Sequence, residues 1–368
     1  MLDNLNLKFN PFEDLTPSLG QPANDIIWAG MHDLKRKFDK IINDSANKRN
    51  RQLILNLGPW GGGKTFTAVY YYNKAKEIND VSLTHIYVKS PKNDTKATEG
   101  LFKGIIEWLT FEKISQQISS LIQEMGLAQF IGFINDKVRS MEMAKAVSLL
   151  GNNDAQVLEL MNRYLYGGLT KTELKNLGLP KAIQDNTDRI KFIAAILFCF
   201  IGSDNNQFGR VILWLDEMED LVYFSSKNYR TFSQDLRNLF DILTLDFTTF
   251  LNFTFSEPEE ATVEIILGAA IWSRITSKIR FKELSIDDAY SYCIEQIQFA
   301  QLKKKSLLPF TEESIRHLLG VIPRQIMTPR EINKKFTAII NFASESHYTT
   351  ISKDIIDSYL SQEEVEEN

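Results

Sequence analysis

The sequence predicts an α/β fold: a parallel sheet with helices on both faces, closed by an all-helical end. Three observations carry this expectation. Short, continuous apolar runs at 52–58 (QLILNLG), 82–90 (SLTHIYVKS), 210–217 (RVILWLDE) and 248–258 (TTFLNFTFSEP) have the length and composition of strands buried on both sides. Helical patterns alternate with them, as parallel strands require. Beyond residue 284 only helical patterns remain.

The first fifty residues mix turn signals (NPF, TPS, LGQP) with one amphipathic stretch, MHDLKRKFDKIIND, in which Leu34, Phe38, Ile41 and Ile42 recur at helical spacing. This reads as an amino-terminal segment, 1–50, packing on a core that begins with the 52–58 strand. A helix follows over TFTAVYYYNKAKEI, and then the 82–90 strand. From about 97 to 200 the pattern is helical throughout, with apolar positions at 101, 105, 106 and 109 and again at 190, 193, 196 and 197. A parallel crossover needs far less chain, so this stretch reads as a long helical insertion. The strand at 210–217, a helix near 229–245 and the strand at 248–258 complete a core spanning 51–284. DDAYSYCIEQIQFAQ, TEESIRHLLG, PREINKKFTAIINFASE and SKDIIDSYLSQ read as four helices of a lid, 285–360, ahead of an acidic tail, 361–368.

With 368 residues, the chain can bury substantial cores without staples. Its two cysteines, Cys199 and Cys293, lie far apart among apolar residues and read as core positions of a reduced, cytoplasmic protein. The start, MLDNLNLKFNPFEDL, lacks the layout of a secretory signal. The longest apolar run, IAAILFCFIG at 193–202, is too short for a membrane span and reads as a buried helix. A net charge of −5 gives no global attraction to nucleic acid, so any DNA contact must come from local basic runs such as Asn47–Arg51 or Lys303–Lys305.

Gly58-Pro59-Trp60-Gly61-Gly62-Gly63-Lys64-Thr65 fits the phosphate-loop pattern G-x-x-x-x-G-K-[ST], with a strand before it and a helix opening at Phe66 after it. Glycines let backbone N–H groups turn inward around a phosphate, where the helix amino terminus adds its dipole. Lys64 is placed to bridge the β- and γ-phosphates of ATP and Thr65 to bind Mg²⁺. VILWLDEMEDL ends five apolar residues in Asp216 and Glu217, at the carboxyl end of a strand, where open α/β sheets bind ligands. The expected division of labour has Asp216 ordering Mg²⁺ and Glu217 polarising the attacking water. Glu219 and Asp220 read as solvated or helix-capping.

The Asp-Glu pair and the all-helical end resemble the AAA+ branch of P-loop ATPases. That resemblance implies a water-positioning polar residue at the end of the next strand: Ser256, with Thr254 and Asn252 as substitutes on the same strand face. AAIWSRITSKIRFKEL (269–284) resembles the S-R stretch of initiator-type AAA+ proteins. It implies Arg274 as an arginine reaching a neighbour's γ-phosphate, with Arg280 in reserve. MTPREINKKF places Arg330 where the family has a sensor arginine. DIIWAGMHDLKRKF looks like the segment that crosses the adenine in origin-recognition ATPases, with Ile27, Trp28 or Met31 as contacts.

A further resemblance lies in NRYLYGGLTKTELKNLGLPKAIQDNTDRIKFIAAILFCFIG (162–202), followed by DE-M-E-D-L. This arrangement is similar to origin-recognition-like ATPases of bacterial anti-phage islands such as the BREX systems. Together the resemblances imply an ATPase that forms homo-oligomers with nucleotide and engages DNA non-specifically or a partner effector of nuclease, helicase or transposase class, as transposition-regulator ATPases do. Anti-phage defence or a mobile element is the implied setting. The competing reading is a slowly hydrolysing, nucleotide-gated scaffold. A small-molecule kinase fits less well, because no acceptor-site motif accompanies the acidic pair.

Overall fold

The structure, a computed structural model, describes residues 2–13, 18–19, 21, 25–77, 83–202, 209–255, 260–303 and 307–366. In chain order the elements begin with α1 (His32–Asn47), β1 (Arg51–Gly58), α2 (Lys64–Glu77) and β2 (Leu83–Lys89). Seven helices form the insertion: α3 (Ala97–Leu109), α4 (Phe111–Met125), α5 (Leu127–Val138), α6 (Met141–Leu149), α7 (Ala155–Leu165), α8 (Lys171–Asn176) and α9 (Asn186–Ile201). The sheet resumes with β3 (Arg210–Asp216), α10 (Ser226–Ile242), β4 (Phe247–Thr254), α11 (Glu260–Trp272) and β5 (Ser277–Arg280). Four helices close the chain: α12 (Ile286–Ala300), α13 (Glu312–Val321), α14 (Pro329–Glu345) and α15 (Lys353–Glu366). Among the described residues no helix is long and apolar enough to cross a membrane.

The chain forms two compact units. One combines residues 42–57 and 79–279 and holds a five-stranded parallel sheet in the order β2-β3-β4-β1-β5. Leu83 to Lys89 of β2 pair with Arg210 to Asp216 of β3, and Val211 to Leu215 of β3 with Phe247 to Leu251 of β4. Every residue of β3 after Arg210 is buried, as expected for a strand covered on both faces. The insertion belongs to the same core. Its α9 is apolar around its whole circumference and buried from Phe192 to Ile201, the state such a helix requires. Asp185 caps its start by accepting from the Asp188 N–H, and Gly202 ends it. The fifth strand, β5, was not expected from the sequence, which placed only a core-ending segment there.

The other unit combines 1–41, 58–78 and 280–368, bringing the phosphate-loop residues, α2 and the four closing helices together. Its core runs from Leu5, Leu7 and Phe12 through Cys293 and Ile297 of α12 to Phe336 and Ile340 of α14. Both cysteines are buried and free.

Candidate nucleotide site

The loop leaves β1 with its backbone in tight contact. A Cβ on Gly58 would lie 2.5 Å from the Phe281 Cβ and carbonyl oxygen, so only glycine fits there. Gly61 has φ +76°, and a Cβ there would lie 2.5 Å from the Cβ of Arg330 and 3.2 Å from the Thr328 hydroxyl. The loop is thus pressed against the first turn of α14, which Thr328 caps by accepting from the Glu331 N–H and which Pro329 opens. Lys64 is buried, and its ammonium donates to the carbonyls of Gly58 (2.9 Å) and Pro59 (2.8 Å). The Arg330 guanidinium stacks 5.0 Å from the ring centroid of Trp60, which is 67% exposed. The Arg330 Nε is buried without a hydrogen-bond partner, and among the described residues no carboxylate pairs with this side chain. The start of α2, the Lys64 ammonium and the Arg330 guanidinium of α14 thus all border the loop.

The expected adenine contacts are distributed differently. Trp28 is buried in an aromatic cluster with Phe38, Phe66, Tyr70 and Tyr71, at 5.3–6.1 Å between ring centroids. Ile27 and Met31 are only partly buried against the core of their unit. Met31 and Gly30 both adopt left-handed φ, +46° and +57°.

In the sheet unit, Asp216 ends β3 and is buried. Its Oδ1 accepts from Asn252 Nδ2 (3.1 Å) and from the Glu217 N–H (3.0 Å), and its Oδ2 from the Tyr87 hydroxyl (2.8 Å). Asn252 in turn accepts from Asn56 Nδ2 at 2.8 Å. A side-chain chain therefore crosses β1, β4 and β3 to reach the aspartate. Of the candidates on β4, Asn252 touches Asp216, whereas the Thr254 N–H donates to Glu219. Ser256 lies outside the described residues. Burial, and then the neighbouring Asp216 charge, push the Tyr87 hydroxyl's titration upward, so it stays a donor.

Glu217 leaves the strand in the left-handed region, φ +57°, a conformation that costs a non-glycine residue roughly 1–2 kcal/mol and concentrates at functional sites. Lys89 holds its Oε1 at 2.8 Å and Lys92 its Oε2 at 3.1 Å, while Lys92 also pairs with Asp220. Partial burial alone would raise the carboxyl's pKa. The lysine hydrogen bonds and charges outweigh it and hold Glu217 below the usual glutamate range. An open cleft of about 580 Å³ lined by Lys92, Asp220 and Tyr223 adjoins this cluster. The signal for the lysines was present in the sequence, since Lys89 closes the β2 run. Nothing local marked them as partners of Glu217.

Arg274 follows α11 and is fully engaged. Nε and Nη2 donate to Asp241 at 2.8–3.0 Å, and Nη1 donates to the Ala270 carbonyl. The reserve candidate, Arg280, is exposed at the end of β5.

No sequence-family model matches the chain, and no curated protein does. Solved structures do. The Aeropyrum pernix ORC2 protein in its ADP form gives a TM-score of 0.53 at 9% identity, covering 96% of this chain and 73% of that one. The same protein's ADPNP-ADP complexes give 0.52 at 10% identity, covering 97% and 72%. The chain shares its fold, a parallel α/β sheet with a helical carboxyl-terminal region, with these ORC2 structures. At such low identity the AAA+ likeness is one of architecture, and the chemistry has to be read from this chain's own residues.

Proposed function

We propose that this chain binds and hydrolyses ATP as an AAA+ protein that assembles with nucleotide and engages DNA or a partner effector of nuclease, helicase or transposase class. The observation that carries the reading is the Gly58–Thr65 loop, its backbone pressed on α14 so that Lys64 and Arg330 both border it. The ORC2 structures of the same fold hold ADPNP and ADP, in keeping with a nucleotide in this loop. The sequence resemblance read at 162–202 and DE-M-E-D-L is the ground on which we place this activity in the cytoplasm, in defence or a mobile element.

In this reading the loop N–H groups, Lys64 and Arg330 bind the phosphates, with the residues from Gly58 to Phe66 forming the cradle. Thr65 contributes a hydroxyl and Asp216 a carboxylate of the kind that magnesium takes alongside phosphate oxygens, and this reading assigns both to that ion. When bound, the ion would neutralise phosphate charge. Asn252, tied to both Asp216 and Asn56, takes the polar role expected of Ser256. Glu217 orients and deprotonates water once its carboxylate leaves the lysines, and Arg274 acts on a neighbouring subunit once it leaves Asp241. A scaffold that hydrolyses slowly is favoured by one specific observation, the engagement of both Glu217 oxygens by Lys89 and Lys92.

The deciding experiment is the solution mass of Glu217→Gln with ATP and Mg²⁺, with and without duplex DNA, beside Lys64→Ala. A nucleotide-dependent multimer that Lys64→Ala cannot form supports the assembling ATPase. A monomer under every condition, with tightly retained ATP, supports the scaffold.

A further inference from the structure

The basic run at 47–51 has no part in the nucleotide chemistry, yet in the structure it joins a larger constellation. Arg51 opens β1 and Arg210 opens β3, because the strand interiors are apolar and leave charged residues only at their ends. Arg49 and Arg210 share the buried Asp246 at 3.2 and 3.9 Å. Arg237 and Arg274 share Asp241 at 3.4 and 2.8 Å. Lys48 pairs with Asp44 at 2.8 Å, and Arg51 donates to the Phe240 carbonyl. The contacts are contiguous: the Phe247 N–H donates to the Asn50 carbonyl and the Val211 N–H to that of Asp246. Among the described residues, six cations thus gather around three carboxylates and one backbone carbonyl, on a chain whose net charge is −5. A cleft of about 210 Å³ opens between Arg51 and Arg274.

We propose that this amino-terminal edge of the sheet is a binding surface for the phosphate backbone of duplex nucleic acid, independent of base sequence. The geometry favours a duplex because Phe240 and Phe247, described aromatic residues at this edge, are buried and offer no face on which single-stranded bases would stack. Lys48, Arg49 and Arg237 have side chains at least 39% exposed, so their charged ends stand where a phosphate can approach from solvent. A duplex supplies a phosphate charge every ~1.7 Å along its axis, and each one neutralised releases counterions. The inference rests on the proposed function only in taking DNA as the partner.

The test is the affinity of the full chain for a labelled duplex, by fluorescence anisotropy at several salt concentrations without nucleotide. The variant Lys48→Ala/Arg49→Gln/Arg237→Ala should bind at least tenfold more weakly, with a salt slope shallower by about 0.9 per lost contact. Because Arg49 neutralises a buried aspartate, Lys48→Ala/Arg237→Ala is the companion variant, with melting temperature as the folding control. Absence of duplex binding by the native chain, or unchanged affinity and slope in both variants, would overturn the proposal. So would polyglutamate displacing the duplex at matched charge, which would assign the edge to an acidic protein. ATP turnover is measured separately without DNA, so loss of the ATPase reading leaves this outcome intact.

Discussion

Lys89 and Lys92 bind the two oxygens of the carboxylate assigned to water activation, and removing both should accelerate hydrolysis. The magnitude follows from their exposure, 58% and 68% at the side chains, which places these among solvent-screened ion pairs. Each such pair contributes roughly 0.2–1 kcal/mol. Losing both links therefore shifts the equilibrium toward a free Glu217 by roughly 0.4–2 kcal/mol, an increase of about two- to thirtyfold in its population. The assay is phosphate release at saturating ATP for Lys89→Ala/Lys92→Ala, with nucleotide affinity measured in parallel. Raising ionic strength should raise the native turnover number and leave that of the variant flat, since screening acts on the same pairs. A variant that binds ATP normally yet turns over at or below the native rate would refute the lysines as a restraint on Glu217.

Gly61→Ala should weaken nucleotide binding tenfold to a hundredfold by equilibrium titration. It combines a left-handed φ with a Cβ placed 2.5 Å from that of Arg330, roughly 2 kcal/mol or more of strain at the loop. Arg274→Ala should slow hydrolysis by a factor on the order of a thousand while leaving ATP affinity unchanged, the signature of a residue acting on transition-state charge; equal losses in both would place it in binding instead. Asp235 is buried, accepts from Thr98 and Asn186, and has its pKa raised by burial above the ordinary 3.8. The folded state then binds the proton more tightly than the unfolded, so native stability falls as pH rises from about 3.8 through the raised value. Melting curves across that window should show the fall in the native protein and its absence in Asp235→Asn.

Legibility in the sequence followed locality. The strands from 51, 83, 210 and 247, the helical insertion and the four closing helices all carry their periodicity within contiguous residues, and each was expected within a few positions. β5 escaped because SKIR is too short, and only one of its four residues is buried, to show a pattern. Asp216 and Glu217 were visible as a pair, but not that they diverge, since φ at Glu217 reverses where the strand ends. Asn252 ranked behind Ser256 because alternation puts Asn252, Thr254 and Ser256 on one face and cannot choose among them. Only the folded chain shows that Asn252 donates to Asp216, while Ser256 lies outside the described residues.

By itself, then, the sequence determined the α/β class, the glycine-rich turn between β1 and α2, the acidic strand end and the helical close, because each rests on neighbours along the chain. Tertiary structure alone decided that Lys89 and Lys92 restrain Glu217, that Arg330 stacks on Trp60, that Asp241 engages Arg274, and that arginines from separate strand starts share buried aspartates. Those pairings join residues tens to hundreds of positions apart. Sheet order and strand register set them, and no local periodicity encodes either.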